Sequence, residues 1–298
     1  MNNPSKRHHY LPEFYLKEFT NNEGGFYIYD KIKDRIDKRE KFPKSYFFEW
    51  DRNTTKINGI ENDLLETFYQ NVDDKFSSIY RQLIHLLSKK NGHKDNIETI
   101  NEILIFINSI RWRVPARDFI TLNVLNNYDY SNLSYNIIEK KTGEIVKDEK
   151  VLTFFKKLEI FKKGQESMIV FEPFYNSKHL LNVHRNFLVT SQNNYSGLIC
   201  DNPYIENGIS KDIKKFSEFI FPLTKHYIAI YVKNLHEEKL DEQFSLRLEL
   251  AKIENSQRFT ACADKEYLEK LVSLYRKIVS DGRNKGLISE GRISKCRI

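Results

Sequence analysis

Apolar and polar positions alternate along this chain with a period that changes several times. Ile60, Leu64, Phe68, Val72, Phe76, Tyr80, Leu83 and Leu87 recur at intervals of three or four. That is the repeat of one helix face, and it predicts a long amphipathic helix over 58–87. The polar stretch SKKNGHKDN ends it, and Asp95 followed by Glu98 reads as a capping box opening a second helix to about Trp112. Pro115 disfavours helix at Val114, so a third helical segment is expected over 116–125.

Elsewhere the period shortens. GGFYIYDKIKDRI reads as a short strand pair, and NFLVTS-QNNYS-GLICDNP reads as a hairpin with a polar loop. FIFPLTKHYIAIYV offers two more strands around Pro222 and Lys225. Helical spacing returns over 151–161, 241–253 and 264–279, the last with Asp264 as N-cap. The expected fold is α+β, predominantly helical with a small antiparallel sheet. One unit spans 1–298 and ends in a basic tail over 281–298.

The N-terminus departs from the usual polar, frayed chain end. RHHYLPEFYLKEF places Phe14, Leu16 and Phe19 where a short helix would tie the terminus to the core. Pro12 holds the entry to that helix extended. His9 then sits at the entry, suited to acid–base work, metal ligation or phosphate contact, or to anchoring the docked terminus. His8 reads as its exposed neighbour.

Composition narrows the classes. With 298 residues, 40% apolar and 30% charged, the chain is globular rather than disordered. Apolar runs such as ILIFI at 103–107 are far shorter than a bilayer span, and no secretory signal is visible. Three widely spaced cysteines (Cys200, Cys262, Cys296) suit a reducing compartment, so a cytoplasmic location is expected. The formal charge of +7 favours an anionic partner, although a Lys-, Asn- and Ile-rich composition supplies lysines without any binding role. No phosphate-loop, dinucleotide, zinc-protease, serine-hydrolase or kinase signature occurs.

Three further segments carry candidate chemistry. RWRVPARD brings Arg111, Arg113 and Arg117 to a helix boundary, where guanidinium forks suit phosphate or carboxylate. The alternative there is a salt-bridged turn using Asp118 and the acidic first helix. CDNP sets Asp201 at a constrained turn after a strand, suited to metal or acid–base work, or simply to shaping a loop. Glu61 and Glu66 lie near the start of the long helix, where Glu61 is a possible metal ligand or a dipole partner.

In order, these segments resemble the microbial proteins grouped as domain of unknown function 4238. The resemblance rests on His9, Tyr10, Leu11, Pro12, Phe14, Tyr15, Leu16 and Phe19, then FYIYD, the helix with Glu61 and Glu66, Arg113-x-Pro115-x-Arg117, and Asp201-Asn-Pro. Two departures stand out: the Arg–Pro–Arg element is one residue tighter, and Cys200 replaces a serine. The resemblance implies that His9, Arg113, Arg117 and Asp201 belong to one shared pattern, and it implies no activity. Two readings follow. One is a binding or regulatory module for an anionic partner, nucleic acid or nucleotide. The other is a nuclease-like phosphodiesterase of defence or toxin type, with His9 and Asp201 catalytic, Asp201 and Glu61 holding Mg2+ or Mn2+, and the arginines on phosphate.

Overall fold

The computed structural model describes residues 6–57, 60–89, 96–127, 138–139, 141–148, 167–191, 197–206, 212–233 and 242–282. Its α+β character agrees with the sequence pattern, but its sheet is not small. Strands β1 (Arg7–His9) and β4 (Phe48–Trp50) form an antiparallel ribbon, as do β5 (Thr55–Ile57) and β6 (Ile60–Asn62). One four-stranded sheet joins β2 (Tyr27–Asp30), β3 (Arg35–Ile36), β8 (Ile199–Cys200) and β12 (Phe259–Cys262) in the order β3-β2-β12-β8. A second joins β7 (Phe187–Ser191), β9 (Ile205–Glu206), β10 (Phe219–Pro222) and β11 (Tyr227–Tyr231) in the order β7-β11-β10-β9. Every one of these pairings is antiparallel.

The description "predominantly helical with a small sheet" is therefore corrected, and strand length supplies the reason. Most of the overlooked strands are two or three residues long, too short for a period-two pattern to register. The expected hairpin over 186–203 is corrected as well. Its first strand, β7, pairs with β11, whereas β8 pairs with β12 in the other sheet. The chain thus crosses between sheets at Asp201–Tyr204. The strand pair at 27–36 and the hairpin of β10 with β11 form as their patterns indicate.

Helix α1 (Glu13–Lys17) is followed by α2 (Leu64–Ser88) and α3 (Ile97–Arg113). The long helix starts later than its stripe suggests, because Ile60 and Glu61 belong to β6. Its first turns bury Leu65 and Tyr69 and leave Leu64 exposed, and Val72, Phe76, Tyr80, Leu83 and Leu87 then follow the expected face. Asn96, rather than Asp95, occupies the N-cap of α3, its side chain accepting from Thr99 N at 3.3 Å. Asp95 lies outside the described residues. A 3-10 turn over Pro115–Arg117 leads into α4 (Asp118–Asn127). Later come α5 (Ser177–Arg185), α6 (Glu242–Asn255) and α7 (Lys265–Ser280), the last capped by Asp264. The pattern over 151–161 and the tail from 283 fall outside the described residues. Among the described residues no helix is long and apolar enough to cross a membrane.

The N-terminal motif is built into the main core. Tyr15, Leu16 and Phe19 are fully buried in one cluster with Phe76, Tyr80, Phe106 and Phe221. Tyr15 stacks on Phe221 at 5.6 Å and donates its hydroxyl to Pro222 O at 2.6 Å. Tyr80 donates likewise to Leu223 O at 2.8 Å, so each phenol carries its own partner into an apolar interior. This aromatic junction clamps α1, α2 and α3 to the end of β10.

Candidate functional site

The site is organised by the ribbon of β1 and β4, whose two faces differ. Register places Arg7 opposite Trp50, His8 opposite Glu49 and His9 opposite Phe48. Side chains alternate across a strand, so Arg7, His9, Phe48 and Trp50 share one face while His8 and Glu49 share the other. The flanking residues Phe47 and Asp51 both adopt left-handed backbone, at φ 59° and 51°. For Phe47 this conformation costs about 1–2 kcal/mol. Its carbonyl accepts from Tyr10 N at 3.0 Å and Leu11 N at 3.4 Å, which secures the bend.

On the first face the Arg7 guanidinium lies 5.1 Å from the ring centres of both Phe48 and Trp50. Phe48 meets Trp50 edge-on at 5.8 Å, and the His9 ring lies 5.5 Å from Phe48. Trp50 is 61% exposed, a large aromatic surface in water. The His9 imidazole is mostly covered, with Nε2 3.5 Å from Glu13 Oε1. Burial lowers its pKa; Glu13 pulls it back up, while Arg113 and Arg7 push it further down.

The second face closes onto a cleft of about 260 Å³ lined by Glu49, Arg52, Asn53, Tyr69, Trp112, Arg113, Asp118, Thr121 and Leu122. Behind it, His8 is fully buried rather than an exposed neighbour, and its Nδ1 accepts from Asn53 N at 2.8 Å. Asn53 in turn donates to Glu66 at 2.7 Å. Arg52 uses all its N–H groups here. Nε and Nη2 donate to Arg113 O at 3.2 and 3.0 Å, Nη1 reaches Glu49 at 2.6 Å and Asp118 at 3.0 Å, and Nη2 also bonds Asp118.

The arginines of RWRVPARD are interior ion-pair partners. Arg113 forms a two-pronged pair with Asp73 at 2.8 and 3.0 Å, donates to His9 O, and stacks 4.7 Å from Tyr69. Arg111 and Arg117 converge on Glu206, whose Oε2 also accepts from Ser217. Both guanidinium groups also flank the Tyr204 ring, at 4.9 and 5.6 Å. Burial lowers the pKa of Arg117 against the pull of Glu206. All three arginines and Glu206 are buried, a setting in which each charge depends on its partner.

Asp201 sits at the crossing between the sheets, and its carboxylate is occupied by backbone. It accepts from Gln257 N at 2.8 Å, Arg258 N at 2.7 Å and Phe259 N at 2.8 Å, while its own N donates to Phe259 O at 3.0 Å. Burial raises its pKa, and the three N–H donors pull it back down. Asn202 and Asn255 add reciprocal bonds of 3.3 and 2.6 Å, stapling the crossing to the end of α6. CDNP is thus a joint between sheets. Glu61, expected to share a metal with Asp201, lies exposed on the hairpin of β5 and β6, opposite Lys56. Among the described residues no group of three or more His, Cys, Asp or Glu is arranged to hold a metal ion.

Of the candidates, the fold brings His9 and Arg113 into direct contact through the His9 carbonyl, and it pairs Arg111 with Arg117 around Glu206. Asp201 belongs to the joint and Glu61 to a separate ribbon. Arg52, Asn53, Tyr69, Asp73, Trp112, Thr121 and Trp50 were not singled out from the sequence. The RWR triplet did contain Trp112, but Asp73 is 40 residues from its arginine and nothing local links them.

Comparison with known proteins adds one finding. A family model described as protein of unknown function (DUF4238) matches residues 7–269. No curated protein and no solved structure gives a significant match.

Proposed function

The chain belongs to the family described as protein of unknown function (DUF4238), and from its geometry we propose a binding module that recognises single-stranded nucleic acid rather than a phosphodiesterase. The observation carrying this reading is the exposed ribbon face, where the Arg7 guanidinium lies over Phe48 and the 61%-exposed Trp50. An exposed aromatic ring beside a cation suits the stacking of an unpaired base, worth about 1–3 kcal/mol per base, with phosphate held by charge. The net charge of +7 supplies the favourable long-range field.

The nuclease-like reading loses support in two places. The Asp201 oxygens already hold three backbone N–H groups, and the buried arginines answer carboxylates of the protein itself. The experiment is to incubate labelled single-stranded DNA and RNA oligonucleotides with the full chain, once in a chelator and once with Mg2+ or Mn2+. Raised fluorescence anisotropy on intact strands in both conditions is expected. Metal-dependent strand cleavage would restore the phosphodiesterase reading, and strands left both free and intact would defeat the binding reading.

A further inference from the structure

The turn joining β2 to β3, and the arm that runs on from β3 towards β4, sort their charges by sign. Between Asp30 and Lys44 there are seven basic and four acidic residues, a net +3 out of the chain's +7. Every carboxylate in the stretch is engaged. Asp30 accepts from Ile32 N and Lys33 N at 3.1 Å and pairs with Arg258 at 3.2 Å. Asp34 accepts from the Tyr29 hydroxyl at 2.8 Å and from Arg276 Nε at 2.9 Å. Asp37 accepts from the Tyr46 hydroxyl at 2.8 Å and lies 3.7 Å from Lys41 Nζ, while Glu40 accepts from Asn21. Two of these acids thus draw their cation from α7 and β12's approach rather than from the arm itself. The arm's own cations are left over. Lys31 turns inward to the carbonyls of Ile253, Glu254 and Ser256. Arg35, Lys38, Arg39 and Lys44 are exposed, and no carboxylate among the described residues pairs with them.

A charge on an edge strand guards it against pairing with another chain. That accounts for Arg35 on β3, but Lys38, Arg39 and Lys44 lie beyond the strand. Their position relative to the ribbon supplies another reason. Tyr29 and its partner Ile36 pack towards α7, so the next cross-strand pair, Asp30 and Arg35, faces the other side of the sheet. On that side the Arg258 guanidinium lies 4.5 Å from the Phe259 ring centre, and Phe259 meets Tyr46 edge-on at 5.3 Å. Tyr46 leads through Phe47 into β4. Backbone bonds of 2.9 and 2.8 Å between Phe26 and Lys41 pin the arm to the core. Lys44 and Trp50 are six residues apart, which keeps their Cα atoms within about 20 Å of each other.

We propose that Lys38, Arg39 and Lys44, with Arg35, form a phosphate-backbone surface along which a nucleic-acid strand runs beside the base platform at Trp50. The inference rests on the single-strand reading and names the surface that holds the phosphates. These cations exchange mobile counterions for phosphates without giving up an ion pair of the protein. Each interior arginine would first have to leave its carboxylate. Contacts of this kind position a strand and carry no base sequence.

The test removes three charges in each of two full-length variants. Lys38→Gln/Arg39→Gln/Lys44→Gln strips the arm. Lys178→Gln/Lys270→Gln/Lys277→Gln strips exposed positions on α5 and α7 and lowers the net charge equally. Fluorescence anisotropy of a labelled long single strand, and of the matching duplex, is followed across a range of salt. On the single strand the arm variant should lose about 2 from the slope of log affinity against log salt, at about 0.7 per phosphate. At about 0.1 M salt it should bind about 10- to 100-fold more weakly, and the control should keep the wild-type slope. Thermal melts of both variants should match wild type, since all six side chains are exposed. The duplex, whose stacked bases cannot reach Trp50, should respond to the arm variant and ignore Trp50→Ala. A slope unchanged in the arm variant, an equal drop in both variants, or no binding of either nucleic acid overturns the proposal. So does arm-dependent binding to phosphatidylserine vesicles alone. Single-strand binding that depends on the arm and not on Trp50 keeps the proposal and defeats the ribbon reading; dependence on Trp50 alone does the reverse.

Discussion

The segment 111–117 and the ribbon of β1 and β4 both combine arginine with aromatic rings, yet they use the combination in opposite ways. In 111–117 the guanidinium groups are buried, stacked on Tyr69, Trp112 and Tyr204, and paired with Asp73 and Glu206. On the ribbon, Arg7 lies over the half-buried Phe48 and over Trp50, which remains open to water. Density of arginine in sequence therefore says little about a binding surface. The same stacking holds a fold together when buried and offers a platform when exposed, and the depth of burial decides which.

The largest effect should come from the buried side. Glu206→Gln leaves two interior guanidinium groups facing a neutral amide, which should destabilise the protein by about 3–5 kcal/mol. At roughly 2–4 °C per kcal/mol, thermal melts should show Tm lowered by about 6–20 °C. A Tm within a degree of wild type would show that the pair of arginines does not depend on this carboxylate.

Next is the joint between the sheets. Asp201→Ala removes the acceptor of three backbone N–H groups and should cost about 3 kcal/mol. Hydrogen exchange at Gln257, Arg258 and Phe259 should accelerate ahead of global unfolding. A variant of native stability that lost only a metal-dependent activity would instead return Asp201 to a catalytic role.

The smallest effect concerns His9. Its folded-state pKa is lowered by burial from an ordinary 6.5. Above that value both the folded and unfolded forms are neutral, so the contribution to stability is fully present. As pH falls through 6.5 the unfolded chain takes up the proton first, and stability declines. Denaturant midpoints measured between pH 7.5 and 5 should fall less steeply for His9→Gln than for wild type. Equal slopes would mean that the imidazole is effectively solvated.

Legibility in the sequence followed the length and locality of each signal. Helices α2, α3 and α7 announced themselves because a 3.6-residue period persists over many turns. The docking of RHHYLPEFYLKEF was legible because aromatics are wasteful at a chain end unless buried. Strands β1, β4, β5, β6 and β9 were not, since two or three residues carry no period. The site was harder still. Whether His8 or His9 turns inward depends on the pairing partner of β1, and that partner begins about 40 residues away at Phe48. Asp201 was correctly seen as a constrained turn, but its ligands are backbone N–H groups of residues 257–259, which have no sequence identity to detect.

On the proposed function, single-stranded nucleic acid meets the exposed ribbon face and not the interior arginines. Titrating a labelled single-stranded oligonucleotide, followed by fluorescence anisotropy, with wild type and Trp50→Ala decides between the two surfaces. Removal of one stacked ring should weaken affinity about 5- to 150-fold, with Tm unchanged because Trp50 is 61% exposed. Coincident titration curves for the two proteins would contradict the account.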